Sequence, residues 1–273
     1  MNNINISKKL FSIITINFNN AEGLKKTIES LKKQKFQNYE HIIIDGGSSD
    51  KSVEIIQSYL KDIDYSKKVT YWCSEKDNGI YNAMNKGISH AKGEYVYFLN
   101  SGDCLIKNSL ELVSEYAINN DDKILYGAVD SYLNEKYLQT IGHSSDELNR
   151  IMIPHQGVFV PLSFHKKYGL YNENFKICAD REFMFKLKNQ NEKFLHIPII
   201  VCNYDYDGIS SKRSKLKDEE NFRISNQFLS SKQLLLSKIR HIIRLIFELL
   251  LPGFITIPIV SLIRKIKPTA IVE

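Results

Sequence analysis

Apolar and polar positions trade between two periods along the first half of the chain. The β-branched run "FSIITINF" (11–18) reads as a strand, and Leu24, Ile28 and Leu31 follow it on one helical face. "EHIIID" (40–45) reads as a second strand, after which Asp50 stands where a helix carrying Val53, Ile56 and Leu60 takes its cap. "KVTYWCS" (68–74) is a third strand, followed by a helical pattern from Gly79 to Ala91 with Asn78 as its cap. "EYVYFL" (94–99) is a fourth, leading to a helix from Lys107 to about Ile118 and a fifth strand, "KILYGAV" (123–129). This alternation predicts an α/β domain with a mostly parallel sheet and helices on both faces.

Right-handed crossovers place every strand-to-helix loop at one edge of such a sheet, the edge where open α/β folds bind ligands. Four loops meet there. They read Asn17-Phe18-Asn19-Asn20, "DGGSSD" (45–50), "EKDN" (75–78) and "NSGD" (100–103), all rich in Asp, Glu and Asn. Helix capping accounts for Asn20, Asp50 and Asn78. It leaves Asp45, Asp77 and Asp103 without a structural duty, which makes the edge a candidate site.

Neither GxxxxGK[ST] nor a GxGxxG after the first strand is present. "DGGSSD" opens and closes with carboxylates, which repel a bare pyrophosphate. A phosphorylated ligand at this edge therefore needs a divalent cation between it and the protein, and oxygen ligands suit Mg²⁺ or Mn²⁺. The remaining Asp and Asn groups match the donors of a nucleoside base and the hydroxyls of a ribose. The pattern points to a metal-bridged nucleotide held without a P-loop.

"SIITINFNN", "IIIDGGSSDKS", "SEKDNGIYNAMNKGI", "GEYVYFLNSGD" and "GLYNENFKICADREF", taken in that order, resemble the family 2 glycosyltransferases of the GT-A fold over roughly residues 10–205. The resemblance implies a Rossmann-like GT-A domain that takes a sugar from a nucleotide-sugar donor. It implies that Asp45 hydrogen-bonds the base, that Thr15, Asn17 and Asn19 line the nucleoside pocket, and that Asp77 completes the base or ribose contacts. Asn100-Ser101-Gly102-Asp103 would stand at the DxD motif, with Asp103 as the metal ligand. Asp180, in "CADRE", would be the general base on the acceptor side. Two positions depart from the family pattern: Asn100 replaces the first Asp of DxD, and Asn82 stands where many relatives carry Asp.

Single residues carry a second reading beside the first. Asp180 also fits as the N-cap of the helix "REFMFKLKNQ", whose apolar face is Phe183, Met184 and Leu187. His155, in "IPHQGVFVP", precedes a strand at Gly157–Val160 and is a candidate contact to the acceptor or the diphosphate, with a structural histidine as the alternative. Lys86 and Arg181 read as solvated charges, with phosphate neutralisation as the other option.

With 273 residues the chain fits one large domain, or one domain with an appendage. Its four cysteines are widely spaced and form no CxxC pair, which fits buried free thiols in a reducing compartment rather than a zinc site. The N-terminus lacks the long apolar core of a signal peptide, so a cytoplasmic location is expected. The net charge of +6 is modest, yet twelve Lys and Arg, from Lys212 to Lys267, crowd the last quarter and suit an anionic surface. From Ser211 a polar linker leads into "LLLSKIRHIIRLIFELLL" (234–251), and after Pro252-Gly253 comes "FITIPIVSLIRKIKP". Arg244, Glu248 and the Pro-Gly break argue against a span of about 20 apolar residues. An interfacial amphipathic segment at the inner face of the membrane is expected instead. The alternative is a helical pair docked on the catalytic domain or on a second subunit.

The expected organisation is a catalytic domain at 1–210 and a linker with a helical appendage at 211–273. The expected reaction, from the resemblance, is sugar transfer with inversion to a hydroxyl acceptor, and the tail favours a lipid-linked glycan. A nucleotidyltransferase and a non-catalytic, membrane-associated nucleotide-binding module are the rivals. Nucleic-acid binding is the weakest option, because the basic residues lie among aliphatic runs without aromatic stacking platforms.

Overall fold

Strands Phe11–Asn17 (β1) and Tyr39–Asp45 (β2) are buried at every position, the pattern of parallel strands covered on both faces. The computed structural model describes residues 9–133, 135–148, 151–206 and 214–236, with 239 and 242. Helix Ala21–Lys32 (α1) joins the two strands, and Ser52–Leu60 (α2) and the single turn Ile63–Ser66 (α3) lead on to Val69–Ser74 (β3). Helix Ile80–His90 (α4) then returns the chain to Tyr95–Phe98 (β4). β3, β2, β1 and β4 lie side by side, all parallel, as the alternation predicts.

Alternate residues of β1 face opposite helix layers. Phe11 and Ile13 join Leu31 of α1 and Tyr95, Tyr97 and Leu99 in one core. Ile14 faces α4, which lies so close that a side chain on Gly87 would meet Ile14 Cγ2 at 2.4 Å. Helices therefore cover both faces.

Beyond β4 the sheet changes character. Cys104–Leu105 (β5) and helix Ser109–Ala117 (α5) precede Lys123–Leu133 (β6), which forms a hairpin with Lys136–Ile141 (β7). The expected fifth strand, now within β6, does not pair with β4. Val158–Pro161 (β8) lies between them, antiparallel to both. Leu162–Tyr168 (α6) and Ala179–Asn189 (α7) follow, then Lys193–Asp205 (β9), parallel to β6, and Lys215–Phe228 (α8). The full order is β3-β2-β1-β4-β8-β6-β9-β5, with β7 on β6.

The caps fall differently from the sequence pattern at three of four places. Asn20 caps α1, accepting the Gly23 N–H at 3.2 Å. Asp50 precedes the α2 cap, Lys51, and instead accepts the N–H groups of Ser52 and Ala21. The α4 cap is Gly79 at φ +114, a backbone angle that favours glycine, so Asn78 is not the cap. Asp180 does not cap α7 either: the cap position is Cys178 and no side chain on its own turn serves it.

Glu220 of α8 instead anchors the segment that leads into α7. Its buried carboxylate accepts the N–H groups of Lys176, Ile177 and Cys178 at 2.6, 2.9 and 2.9 Å, just ahead of α7. A negative group at this end also complements the helix dipole. The chain divides into a first unit, Met1–Asn221, and a second, Phe222–Glu273, so this clamp belongs wholly to the first. No helix among the described residues is long and apolar enough to cross a membrane. Linker residues 211–213, most of 237–251 and all of 254–268, on which the membrane expectation rests, lie outside the described residues.

Glu220→Ala should lower unfolding stability by about 1–3 kcal/mol, the cost of stranding buried donors. Glu220→Gln should fall between it and the wild type, since one carbonyl oxygen replaces two carboxylate oxygens. Urea titration of the three proteins checks this, and equal midpoints would remove the clamp.

Candidate active site

The carboxyl ends of β1, β2 and β3 meet on one side chain. Asp45 accepts the Asn17 amide at 2.7 Å, the Ser48 N–H at 2.9 Å and the hydroxyls of Ser48 and Ser74, both at 2.6 Å. Burial works against its ionised form, but these donors outweigh it and hold the carboxyl below its ordinary range. Asp45 is thus the buried tie of three loops, with its oxygens already engaged.

Other expected donor-site residues divide in the same way. Thr15 is buried inside the sheet, donating to Leu99 O at 2.8 Å and bonded to His41 Nε2 at 2.9 Å, so it does not face the edge. Asn17 is buried beside Asp45, and its Oδ1 has no protein partner. Asn19 is exposed at φ 48 and accepts the Ser49 N–H at 2.8 Å, pinning the first loop to the second. Ser101 and Asn20 bond each other twice through backbone oxygens at 3.1 Å, pinning the first loop to the fourth.

Asp77 stands over Gly46. Its Oδ1 accepts the Gly79 N–H at 2.9 Å, and its Oδ2 lies 2.5 Å from where a Cβ on Gly46 would sit. Phe18 borders the same spot and leaves 64% of its surface exposed. An exposed ring, a floor without a side chain and a carboxylate form a place for a flat heterocycle with an N–H to donate. Phe18 escaped the sequence reading; its signal is an aromatic inside an otherwise polar edge loop. Glu75 and Lys86 pair with each other at 2.8 Å.

The fourth loop does not fit the metal role expected of it. Asp103 is 5% exposed, and its Oδ1 receives the Asp205 N–H at 3.3 Å. Burial pushes its carboxyl up to about 8, so at neutral pH it mostly keeps its proton. Gly102, at φ +105, forms the crest of the loop and carries no ligand atom. Mg²⁺ and Mn²⁺ take oxygens at an open site, whereas this carboxyl is turned inward.

A second group faces the loop from the other side. Asn100 Nδ2 lies 3.1 Å from His155 Nε2, and His155 Nδ1 lies 3.5 Å from Asp180 Oδ2. The Tyr81 hydroxyl reaches Asp180 Oδ1 at 2.9 Å and Ile177 O at 2.7 Å, sharing one proton between them. The side chains of His155 and Asp180 each keep 17% of their surface open. Burial and the neighbouring Asp180 charge push the Tyr81 phenol well above its ordinary range, so it remains a donor. Asn82 and Asn85 both donate to Glu173, at 3.0 and 2.9 Å, which fastens α4 to the loop before α7. An Asp at position 82 could not make that bond, which accounts for the departure there. Arg181 is turned away, bonded to Asn221 and lying over Phe185.

A model of glycosyl transferase family 2 matches residues 12–204, a span that contains the four edge loops, His155 and Asp180. The chain belongs to glycosyl transferase family 2. It is 33% identical over 209 residues to the uncharacterized glycosyltransferase MT1564 of Mycobacterium tuberculosis, covering 74% of this chain and 77% of that one. It is 25% identical over 210 residues to a PGL/p-HBAD biosynthesis glycosyltransferase of Mycobacterium bovis, covering 74% and 79%. Among solved structures, S. aureus TarS 1-349 in complex with UDP-GlcNAc superposes with a TM-score of 0.65 at 16% identity, covering 80% of this chain and 65% of that one. The mannosyltransferase PcManGT of Pyrobaculum calidifontis, in complex with GDP-Man and Mn²⁺, gives 0.58 at 13%, covering 86% and 65%. These likenesses establish the GT-A fold. Membership makes this protein a glycosyltransferase, which sets the nucleotidyltransferase and non-catalytic readings aside.

The state of Asp103 in this glycosyltransferase has a measurable consequence. Its folded carboxyl holds a proton up to about 8, while an unfolded one releases it near 3.8. The folded state therefore binds more protons between those values, and stability falls as pH rises across that window. Asp103→Asn, which mimics the protonated form, should be less stable than or equal to wild type near pH 4 and more stable near pH 8. Parallel pH dependences of the two unfolding midpoints would show that the carboxyl is ionised.

Proposed function

We propose that the enzyme transfers a sugar, with inversion, from a nucleoside-diphosphate sugar to a hydroxyl of a lipid-linked glycan. The observation that carries this reading is the contact row from Asn100 through His155 to Asp180, which joins the donor edge to a partly exposed carboxylate. The nucleoside lies against Phe18, Gly46 and Asp77, with Asn17 and Asn19 behind it, and the diphosphate runs toward Asn100 and Ser101. Asp180 takes the proton of the acceptor hydroxyl. The acceptor oxygen bonds to the anomeric carbon as the bond from that carbon to the diphosphate oxygen breaks, and the nucleoside diphosphate leaves with the electron pair.

Two neighbours in complex with UDP-GlcNAc and with GDP-Man support a nucleotide-sugar donor. The Mn²⁺ of the latter makes a divalent cation the natural supplement to try, although the buried Asp103 does not fit as its ligand. The basic and apolar composition of 211–273 supports an acceptor at the inner face of the cell membrane, and a cytoplasmic, peripheral enzyme.

A panel of nucleotide sugars, screened for nucleoside diphosphate release with Mn²⁺ and with EDTA, tests the donor. Asp180→Asn keeps an oxygen for Tyr81 and should fold normally and bind donor. It cannot accept a proton, so transfer should fall by about 10²–10⁴-fold. Near-normal transfer by this variant would move the base elsewhere.

A further inference from the structure

The row Asn100–His155–Asp180 holds its protons in one arrangement, fixed by what each atom can give or accept. An amide nitrogen has protons to donate and no lone pair to offer, so the His155 Nε2 it faces at 3.1 Å is the bare ring nitrogen. The proton of the neutral ring then sits on Nδ1, 3.5 Å from the Asp180 carboxylate.

Two other arrangements are less stable. Turning the amide over would bring Asn100 Oδ1 to Nε2 and require its proton there. The Nδ1 lone pair would then face the Asp180 carboxylate, and two N–H donors would be stranded where a single oxygen now lacks a partner. An unpaired carbonyl oxygen is the more tolerable of the two. A doubly protonated ring would suit Asp180, but burial pulls the imidazole below its ordinary value, and the Asp180 charge opposes this only in part. The groups facing the ring are Asn100 from the fourth loop and Asp180 from α7, and Tyr81 of α4 holds the other Asp180 oxygen as a neutral phenol.

We propose that Asn100 fixes His155 as its Nδ1–H tautomer, and that His155 is thereby a positioning residue that holds the Asp180 carboxylate toward the acceptor hydroxyl. This rests on Asp180 being the base. It assigns a purpose to the Asn found in place of Asp at position 100. A carboxylate there would demand a proton on Nε2, leaving the ring between two negative groups, where it charges. Asp180 beside a full positive charge would be a weaker base. Asn100 keeps the ring neutral and Asp180 basic. The contact to Asp180, longer than a settled hydrogen bond, tightens when substrates exclude water.

The test reads ring nitrogens directly. The full-length protein labelled with ¹⁵N-histidine is studied by NMR at neutral pH with EDTA, and His155 is assigned by its loss in His155→Gln. A protonated Nδ1 and a bare Nε2 are expected, with titration below the ordinary value near 6.5. Asn100→Asp should move that titration above 6.5. A protonated Nε2 in the wild type, or an unmoved titration in Asn100→Asp, would overturn the proposal. In turnover, His155→Asn keeps a donor at the δ position and His155→Gln does not. The former should retain roughly 10–100-fold more kcat with the donor KM unchanged, the worth of a hydrogen bond to a charged group. Equal losses would overturn the role of His155. If the wild type turns over no nucleotide sugar, the transfer reading falls, while the nitrogen shifts still decide the tautomer.

Discussion

The pairing of β8 against β4 sets the geometry on which the site depends. Tyr97 and Val96 lie opposite Phe159 and Val160, and the rings of Tyr97 and Phe159 stack with centroids 4.2 Å apart. The buried Tyr97 hydroxyl donates to Gln156 O at 2.8 Å, locking the register one turn before the strand begins. Because β8 is antiparallel, its amino end lies where β4 has its carboxyl end. His155 therefore arrives beside Asn100. A parallel strand would have delivered its first residues to the opposite edge, and Asp180 would have had no contact row through His155 to Asn100.

A division of labour follows among the polar residues of the edge. Those on the strands (Thr15, Asn17, Asp45) are buried and spend most of their hydrogen bonds on other protein groups, Thr15 on Leu99 O and His41 and Asn17 on Asp45, because burying polar groups without partners is costly. Those on loop crests and first helical turns, such as Phe18, Asp77, His155 and Asp180, keep open surface. Asp45 shows the economy: a charge under cover, stabilised by several donors, that fixes three loops.

This explains which parts of the molecule were legible in the sequence. The parallel half, β3-β2-β1-β4, follows from hydrophobic period alone, since each strand is continuous and each crossover helix amphipathic. The edge as a place for ligands follows from the same topology. The antiparallel β8 was not legible as a neighbour of β4, because a four-residue strand carries no record of its partner. The inward turn of Asp103 was equally hidden, for it depends on the Asp205 N–H, 102 residues away in sequence. Glu220 was read as linker because its work is done on the backbone of residues 176–178, which leaves no pattern in side chains. Asp180 was proposed through family resemblance, and its rival role as a cap disappears because the cap position of α7 falls two residues earlier, at Cys178.

The charges that remain also change the premise for a bridging cation. That premise was repulsion between edge carboxylates and a diphosphate. Asp45 is enclosed by donors that favour its ionised form, and burial of Asp103 favours its protonated form. Position 100 is an amide, and positions 101 and 102 carry a hydroxyl and no side chain. The loop under the proposed diphosphate path therefore presents no ionised carboxylate of its own. The open carboxylates, Asp77 and Asp180, flank it at the nucleoside end and the acceptor end. Coulomb repulsion falls with distance and with exposure to water, so moving the negative groups to the two ends lowers the opposition the diphosphate meets. The same neutrality at position 100 keeps the His155 ring uncharged and Asp180 basic. One residue choice thus serves both the leaving group and the base, which ties the departure at Asn100 to the chemistry on each side of it.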